Sequence, residues 1–184
     1  MPDFTDFEKI IGIIFKEKDV LKQAFVHRSY LNENRTLGLE HNERLEFLGD
    51  AVLELVITDF LYKKFPTKME GELTAYRSAL VNATTCSEIA TALHVNDFLL
   101  LSKGESKDKG RARQYILANT LEALIGAIYL DRGYDVVKDF IEKNFTPLID
   151  SIISAGSWID AKSLFQEKAQ TEVLTHQVVE SVPN

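Results

Sequence analysis

The segment HNERLEFLGDAVLELVITDFLYKKF, residues 41–65, limits what this chain can fold into more than any other. Its apolar residues recur with helical spacing, and Phe65-Pro66 ends the pattern, so a long helix over 41–65 is predicted. Leu45, Leu48, Val52 and Leu55 build an apolar face beside Glu43, Glu46 and Asp50. Those three carboxylates stand at i, i+3 and i+7, which places them on one side of the helix. A carboxylate on a packed face needs a partner, a shifted pKa or a metal ion, because an unpaired buried charge costs several kcal/mol. Gly49 sits in the same helix interior, at a cost of roughly 1 kcal/mol relative to Ala. A close helix crossing or backbone approach would explain it.

The remaining pattern is also helical. Residues 4–14 carry Phe4, Phe7, Ile10, Ile11 and Ile14 on one side, and a short segment follows at 18–25. The polar stretch 32–40 reads as a loop. Further helices are expected at 69–93, 112–130 and 134–153, with the Gly-containing, highly charged 102–111 as a mobile loop between the first two. No convincing alternating strand precedes residue 170, so residues 1–153 read as one all-α domain. After Ala155-Gly156-Ser157 the character changes. Residues 160–172 suit a short helix and 173–180 have weak strand character, but residues 154–184 are too few for a core of their own.

Composition narrows the function classes. Twenty-one basic residues against 28 acidic ones give a formal charge of −7. That balance argues against a protein that coats nucleic acid by charge alone. A nuclease stays open, because a site that collects divalent cations is itself acidic. Cys86 is the single cysteine, which allows no internal disulfide and reads as a buried thiol. The N-terminus MPDFTDFEKI lacks the basic and apolar regions of a signal peptide, and no uncharged run approaches ~18 residues. A cytoplasmic protein without a membrane segment is expected.

A second helix repeats the theme of the first. Glu122 is the only formal charge between Arg113 and Asp131, with Asn119 one turn earlier. Two helices sending oxygen ligands to a common point can hold a hard cation such as Mg²⁺ and support phosphodiester hydrolysis. On spacing alone, ordinary helix-surface acids paired along the helix, such as Glu40 with Arg44, are the more ordinary explanation.

HNERLEFLGDAVLEL closely resembles the signature of the ribonuclease III family, which cuts double-stranded RNA. AFVHRSYLNEN at 24–34, GELTAYRSALVN at 71–82, SKGE at 102–105 and ILANTLEALIGAIYLDRGY at 116–134 resemble further family blocks, in order, across residues 4–153. The resemblance implies an all-helical endonuclease domain that forms a homodimer, with an active centre at each end of a valley for duplex RNA. It places Glu43, Asp50 and Glu122 on the family's catalytic carboxylates. Asp50 and Glu122 are expected to act in catalysis, and Glu43, Glu46, Asp50, Asn119 and Glu122 to hold Mg²⁺, for which Mn²⁺ can substitute. Phe47 falls where the family inserts an aromatic into the partner subunit. His27 and Arg28 match a block expected at a structural or subunit contact. One position departs, for Asn119 stands where an Asp is usual. It keeps a carbonyl oxygen but lacks the charge.

For the RNA, the expected contacts are Lys103, Lys107, Lys109, Arg111 and Arg113, five basic residues against Glu105 and Asp108 in 101–113. Duplex RNA is read mainly through shape, phosphate and sugar. DAKSLFQEKAQ at 160–170 resembles the first helix of the family's RNA-binding domain, so 154–184 reads as a linker and the opening of that domain, in a truncated product or a natural short form. The function implied is hydrolysis of duplex RNA to 5′-phosphate and 3′-hydroxyl ends, acting on precursor rRNA and structured mRNA. The alternative is a catalytically weakened duplex-binding or ribosome-associated scaffold, for which Asn119 is the main argument.

Overall fold

Helices α4 (Glu43–Lys64) and α7 (Arg111–Arg132) cross at the centre of the molecule, and the other elements pack around that pair. In this computed structural model, which describes residues 2–34, 36, 38–107, 109–156 and 158, the chain first lays down α1 (Phe4–Ile11), α2 (Lys18–Ala24) and α3 (Arg28–Glu33). After α4 come α5 (Glu70–Leu80) and α6 (Ala83–Ala92), and after α7 come α8 (Tyr134–Phe145) and α9 (Ile149–Ala155). Helices α2, α6 and α8 flank α7, whereas α5 and α8 flank α4. The all-α expectation holds. Among the described residues there is no strand, and the isolated bridge between Val26 and Leu100 is the nearest approach to one.

Leu53, Ile57 and Leu61 of α4 are fully buried with Leu121, Leu124 and Ile125 of α7. A second cluster joins Phe7 to Phe25 and Phe98 edge-on, with ring centroids 4.8 and 5.0 Å apart. Edge-to-face pairs of this kind add to the stabilisation that burial alone provides. Among the described residues no helix is long and apolar enough to cross a membrane.

The crossing itself depends on two glycines. A Cβ on Gly49 would overlap the carbonyl oxygen of Glu122 and lie 2.8 Å from the Gly126 nitrogen. A Cβ on Gly126 would overlap the Leu45 carbonyl oxygen. The two backbones therefore touch, which is the close approach that Gly49 suggested from sequence.

Several boundaries differ from expectation. The helix expected at 69–93 is two helices, because Asn82 adopts an extended ψ of 162° and its side chain accepts from Thr85 N at 2.9 Å. The capping oxygen competes with helix continuation and starts α6 afresh. The helix at 134–153 breaks after Phe145 into a 3₁₀ turn containing Pro147, then resumes as α9. The first helix ends at Ile11, where Gly12 takes a left-handed φ of 74°, and leaves Ile14 exposed. Leu55 points outward, since the buried face of α4 runs through Leu45, Gly49, Val52, Val56 and Leu61. Part of the presumed loop region is α3, whose N-cap is His27. The elements expected at 160–172 and 173–180 lie outside the described residues. Trp158 stacks edge-on against Tyr76 of α5, with centroids 5.1 Å apart.

Candidate active site

The Gly49–Gly126 contact brings one turn of α4 against one turn of α7, and the acidic side chains emerge along that seam. Burial, then the negative charges of Asp50 and Glu46, push the Glu122 carboxyl up to about 7. Glu46 is also raised, first by burial and then by Glu43. The Asn119 side chain opposes this by hydrogen bonding to Glu46, which favours the charged form. The same field reaches Cys86 behind the seam, where burial, Glu122 and Asp50 together raise the thiol to about 12. Carboxylates on two helices thus share one electrostatic environment of unmet negative charge.

Glu43 stands at the rim, 45% exposed, with Arg28 Nε 3.0 Å from Oε1 and His41 Nδ1 3.8 Å from Oε2. Among the described residues, His41 Nδ1 is shielded from water and finds no hydrogen-bond partner. Among the described ion pairs Glu43 has a partner in Arg28, whereas the pair imagined between Glu40 and Arg44 does not form; Glu40 meets Gln23 at 3.4 Å. Among the described residues, no three His, Cys, Asp or Glu side chains converge closely enough to grip one ion. The donor chemistry nonetheless fits a hard divalent cation. Glu46, Asp50 and Glu122 offer carboxylate oxygens there, and a raised Glu122 marks a place where positive charge is wanted.

The basic segment lies next to this rim, and its residues 102–107 are hydrogen-bonded to one another. Lys107 N donates to Gly104 O at 3.2 Å, closing one 3₁₀ turn, while Ser106 N donates to Ser102 O at 3.0 Å and Glu105 N to Ser102 Oγ at 3.2 Å. Lys103, Lys107, Lys109 and Arg111 are exposed. Arg113 instead turns inward and donates to the Glu105 carbonyl at 2.8 Å, and Arg111 lies 5.8 Å over the Tyr115 ring. His27, Arg28 and Ser29 connect loop and rim, for Ser29 Oγ accepts from Ser102 N, Arg28 meets Glu43, and His27 Nδ1 lies 2.8 Å from Ser29 Oγ. Burial lowers the His27 pKa, against the pull of Glu105 and Glu43.

Comparison with known proteins decides what this seam belongs to. Residues 17–149 match the family model described as Ribonuclease-III-like. A ribonuclease 3 of Listeria monocytogenes is 43% identical over 94% of this chain and 75% of its own length. One from a Geobacillus strain is 46% identical over 96% of this chain and 73% of its own. The chain belongs to the ribonuclease III family.

Solved structures agree with that membership. The nuclease domain of ribonuclease III from Campylobacter jejuni superposes with a TM-score of 0.69 at 40% identity, over 78% of this chain and 99% of that one. Its description speaks of flexibility in a region involved in dimer formation. Dicer from Pichia stipitis superposes at 0.57 with 31% identity, covering 77% and 60%. Within this frame Phe47 is notable for being 83% exposed, on the outer face of α4 that also carries Ala51, Leu55 and Tyr62. Sequence reasoning overlooked Ser29 and Glu33 of α3, which hold the basic turn. Ser29 N donates to His27 Nδ1 at 3.3 Å, and only the polar run His-Arg-Ser pointed to a capped helix there.

Proposed function

We propose that this chain is a Mg²⁺-dependent endoribonuclease that hydrolyses the phosphodiester bonds of double-stranded RNA, leaving 5′-phosphate and 3′-hydroxyl ends. The observation that carries this reading is the Gly49–Gly126 crossing, which sets Glu122 of α7 beside the Glu46 and Asp50 carboxylates of α4, whose charges together with burial push its carboxyl up. Glu46, Asp50 and Glu122, which do not converge on one point without the ion, would each offer it a carboxylate oxygen, directly or through the waters that Mg²⁺ retains, with Glu43 and the Asn119 carbonyl oxygen at its margin. Bound there, Mg²⁺ would supply charge stabilisation for the phosphodiester under attack. Glu122 and Asp50 are the catalytic carboxylates of this reading. Ionised, they can accept protons and orient water. Lys103, Lys107, Lys109 and Arg111 would receive the RNA backbone, while Arg113 shapes the turn from below. Mn²⁺ can replace Mg²⁺ in an all-oxygen site of this kind.

The active form in this proposal is a homodimer built on the outer face of α4. Phe47 there has no cover, and a groove of about 460 Å³ between α4 and α5, lined partly by Leu61, Tyr62 and Leu73, offers apolar surface to a second copy. His27 and Arg28, which have partners within the chain, serve the turn and Glu43 first. The proposed domain division places catalysis in residues 1–153, with 154–184 as an appendage. Precursor rRNA and structured mRNA in the cytoplasm are the proposed substrates. The test is incubation of an end-labelled RNA duplex with millimolar magnesium, beside an EDTA control, followed by analysis of the product ends. Magnesium-dependent fragments with 5′-phosphates support the reading. Binding without cleavage under any divalent ion would favour the scaffold alternative, to which the missing charge at Asn119 points.

A further inference from the structure

The turn that carries Lys103 and Lys107 is tied to α3 at Ser102 and Lys103, and a third contact joins the flanking residues. Ser102 N donates to Ser29 Oγ at 3.1 Å. Lys103 N lies 3.2 and 3.3 Å from the two carboxylate oxygens of Glu33. His27 N donates to Leu100 O at 3.1 Å, just before the turn. Ser29 Oγ also lies 2.8 Å from His27 Nδ1, a pair whose donor is set by the imidazole tautomer. A line of polar contacts thus runs from the turn through Ser29 to the imidazole. On the far side, Arg113 fixes the Glu105 carbonyl at 2.8 Å. The turn is clamped from both ends, and its two lysines project from a backbone held by α3.

Glu33 is exposed, and its carboxylate accepts from the backbone amide of Lys103, a residue whose own side chain is a cation. A carboxylate aimed at the backbone of Lys103 fixes where that ammonium starts from. We propose that Ser29 and Glu33 are positioning residues for substrate binding, which hold the 102–107 turn so that Lys103 and Lys107 meet the RNA backbone. The inference rests on the duplex-RNA reading above and extends it to residues outside the acidic seam.

The experiment combines steady-state cleavage of a duplex RNA in magnesium with amide hydrogen exchange of the RNA-free protein. Ser29→Ala and Glu33→Ala are compared with Glu33→Gln, which retains an oxygen acceptor for Lys103 N. Thermal melting of each variant reports folding, and Glu33 is exposed enough for its removal to leave the fold intact. Loss of one such bond is expected to raise KM about fivefold with kcat unchanged. Exchange of the Ser102 amide in Ser29→Ala, and of the Lys103 amide in Glu33→Ala, is expected to quicken about tenfold. Glu33→Gln should stay within about twofold of the wild type in both readouts. Unchanged exchange would overturn the clamp, and faster exchange with an unchanged KM would overturn its role in binding. A fall in kcat at constant KM would also overturn it. If the wild type neither binds nor cuts duplex RNA, the nuclease reading fails and takes the substrate role with it, while exchange still reports separately whether the clamp exists.

Discussion

At the scale of single residues, Asn119 and Glu122 define how the seam behaves. Asn119 donates where an Asp would repel, and so it partly offsets the burial and Glu43 repulsion that raise Glu46. Asn119→Asp should add negative charge, tighten apparent magnesium affinity by about tenfold and lower the melting temperature of the metal-free protein. A magnesium titration of cleavage and a melt in EDTA check the two halves. Glu122 gives a pH prediction of definite sign. Its folded pKa lies above its unfolded value near 4.5, so the folded state binds the extra proton and this group disfavours the fold as pH rises from 4.5 to 7. In EDTA, Glu122→Gln should therefore leave stability at pH 4 nearly unchanged and raise it by roughly 2 kcal/mol at pH 8, allowing for partial solvent screening. Urea unfolding at the two pH values measures this. An Asn in place of an Asp is plain in the sequence, but the partner its amide finds is set by the α4–α7 crossing.

At the scale of elements, the crossing is the feature to break. Gly49→Ala would drive a methyl group into the Glu122 carbonyl, a backbone atom that cannot rotate away. The expected cost is at least about 2–3 kcal/mol in urea unfolding, with the carboxylates moved apart and activity lost along with stability. Asn82→Ala removes the cap that begins α6 and should cost about 1 kcal/mol by the same measurement. Helices α4 and α7 were legible in the sequence because their apolar period is long and uninterrupted. The division at Val81-Asn82 was not, since Asn and Thr are tolerated inside helices and the cap shows only as a side-chain bond. Short α3 escaped notice because its six residues include no buried one, so it leaves no apolar period to detect. The α4 acids could be placed on one face from spacing alone. Their coupling to Glu122 needed the second helix in position.

At the scale of the whole molecule, charge and exposed apolar surface point in complementary directions. The chain carries −7 overall, yet Lys103, Lys107, Lys109 and Arg111 are exposed together in the segment beside the acidic rim. Phosphate contacts made against an unfavourable net charge should be sensitive to salt, so the KM for duplex RNA should rise steeply with ionic strength. The outer face of α4 carries Phe47, Leu55 and Tyr62 at 83, 57 and 72% exposure, a larger apolar patch than single surface residues explain. Phe47→Ala should weaken self-association by about 10–100-fold, read by sedimentation at several concentrations, with little change in the helical spectrum. Wild-type protein that stays monomeric at high concentration would remove the dimer from the account.

The central claim is that the α4–α7 seam is a magnesium-dependent centre for cutting duplex RNA. Its most direct test is a magnesium titration of single-turnover cleavage, with the wild type beside Glu122→Gln. The account predicts a saturable, EDTA-sensitive rate for the wild type and a loss of about a hundredfold or more for the variant at saturating magnesium. Equal rates for the two proteins, or cleavage that persists in EDTA, would contradict it.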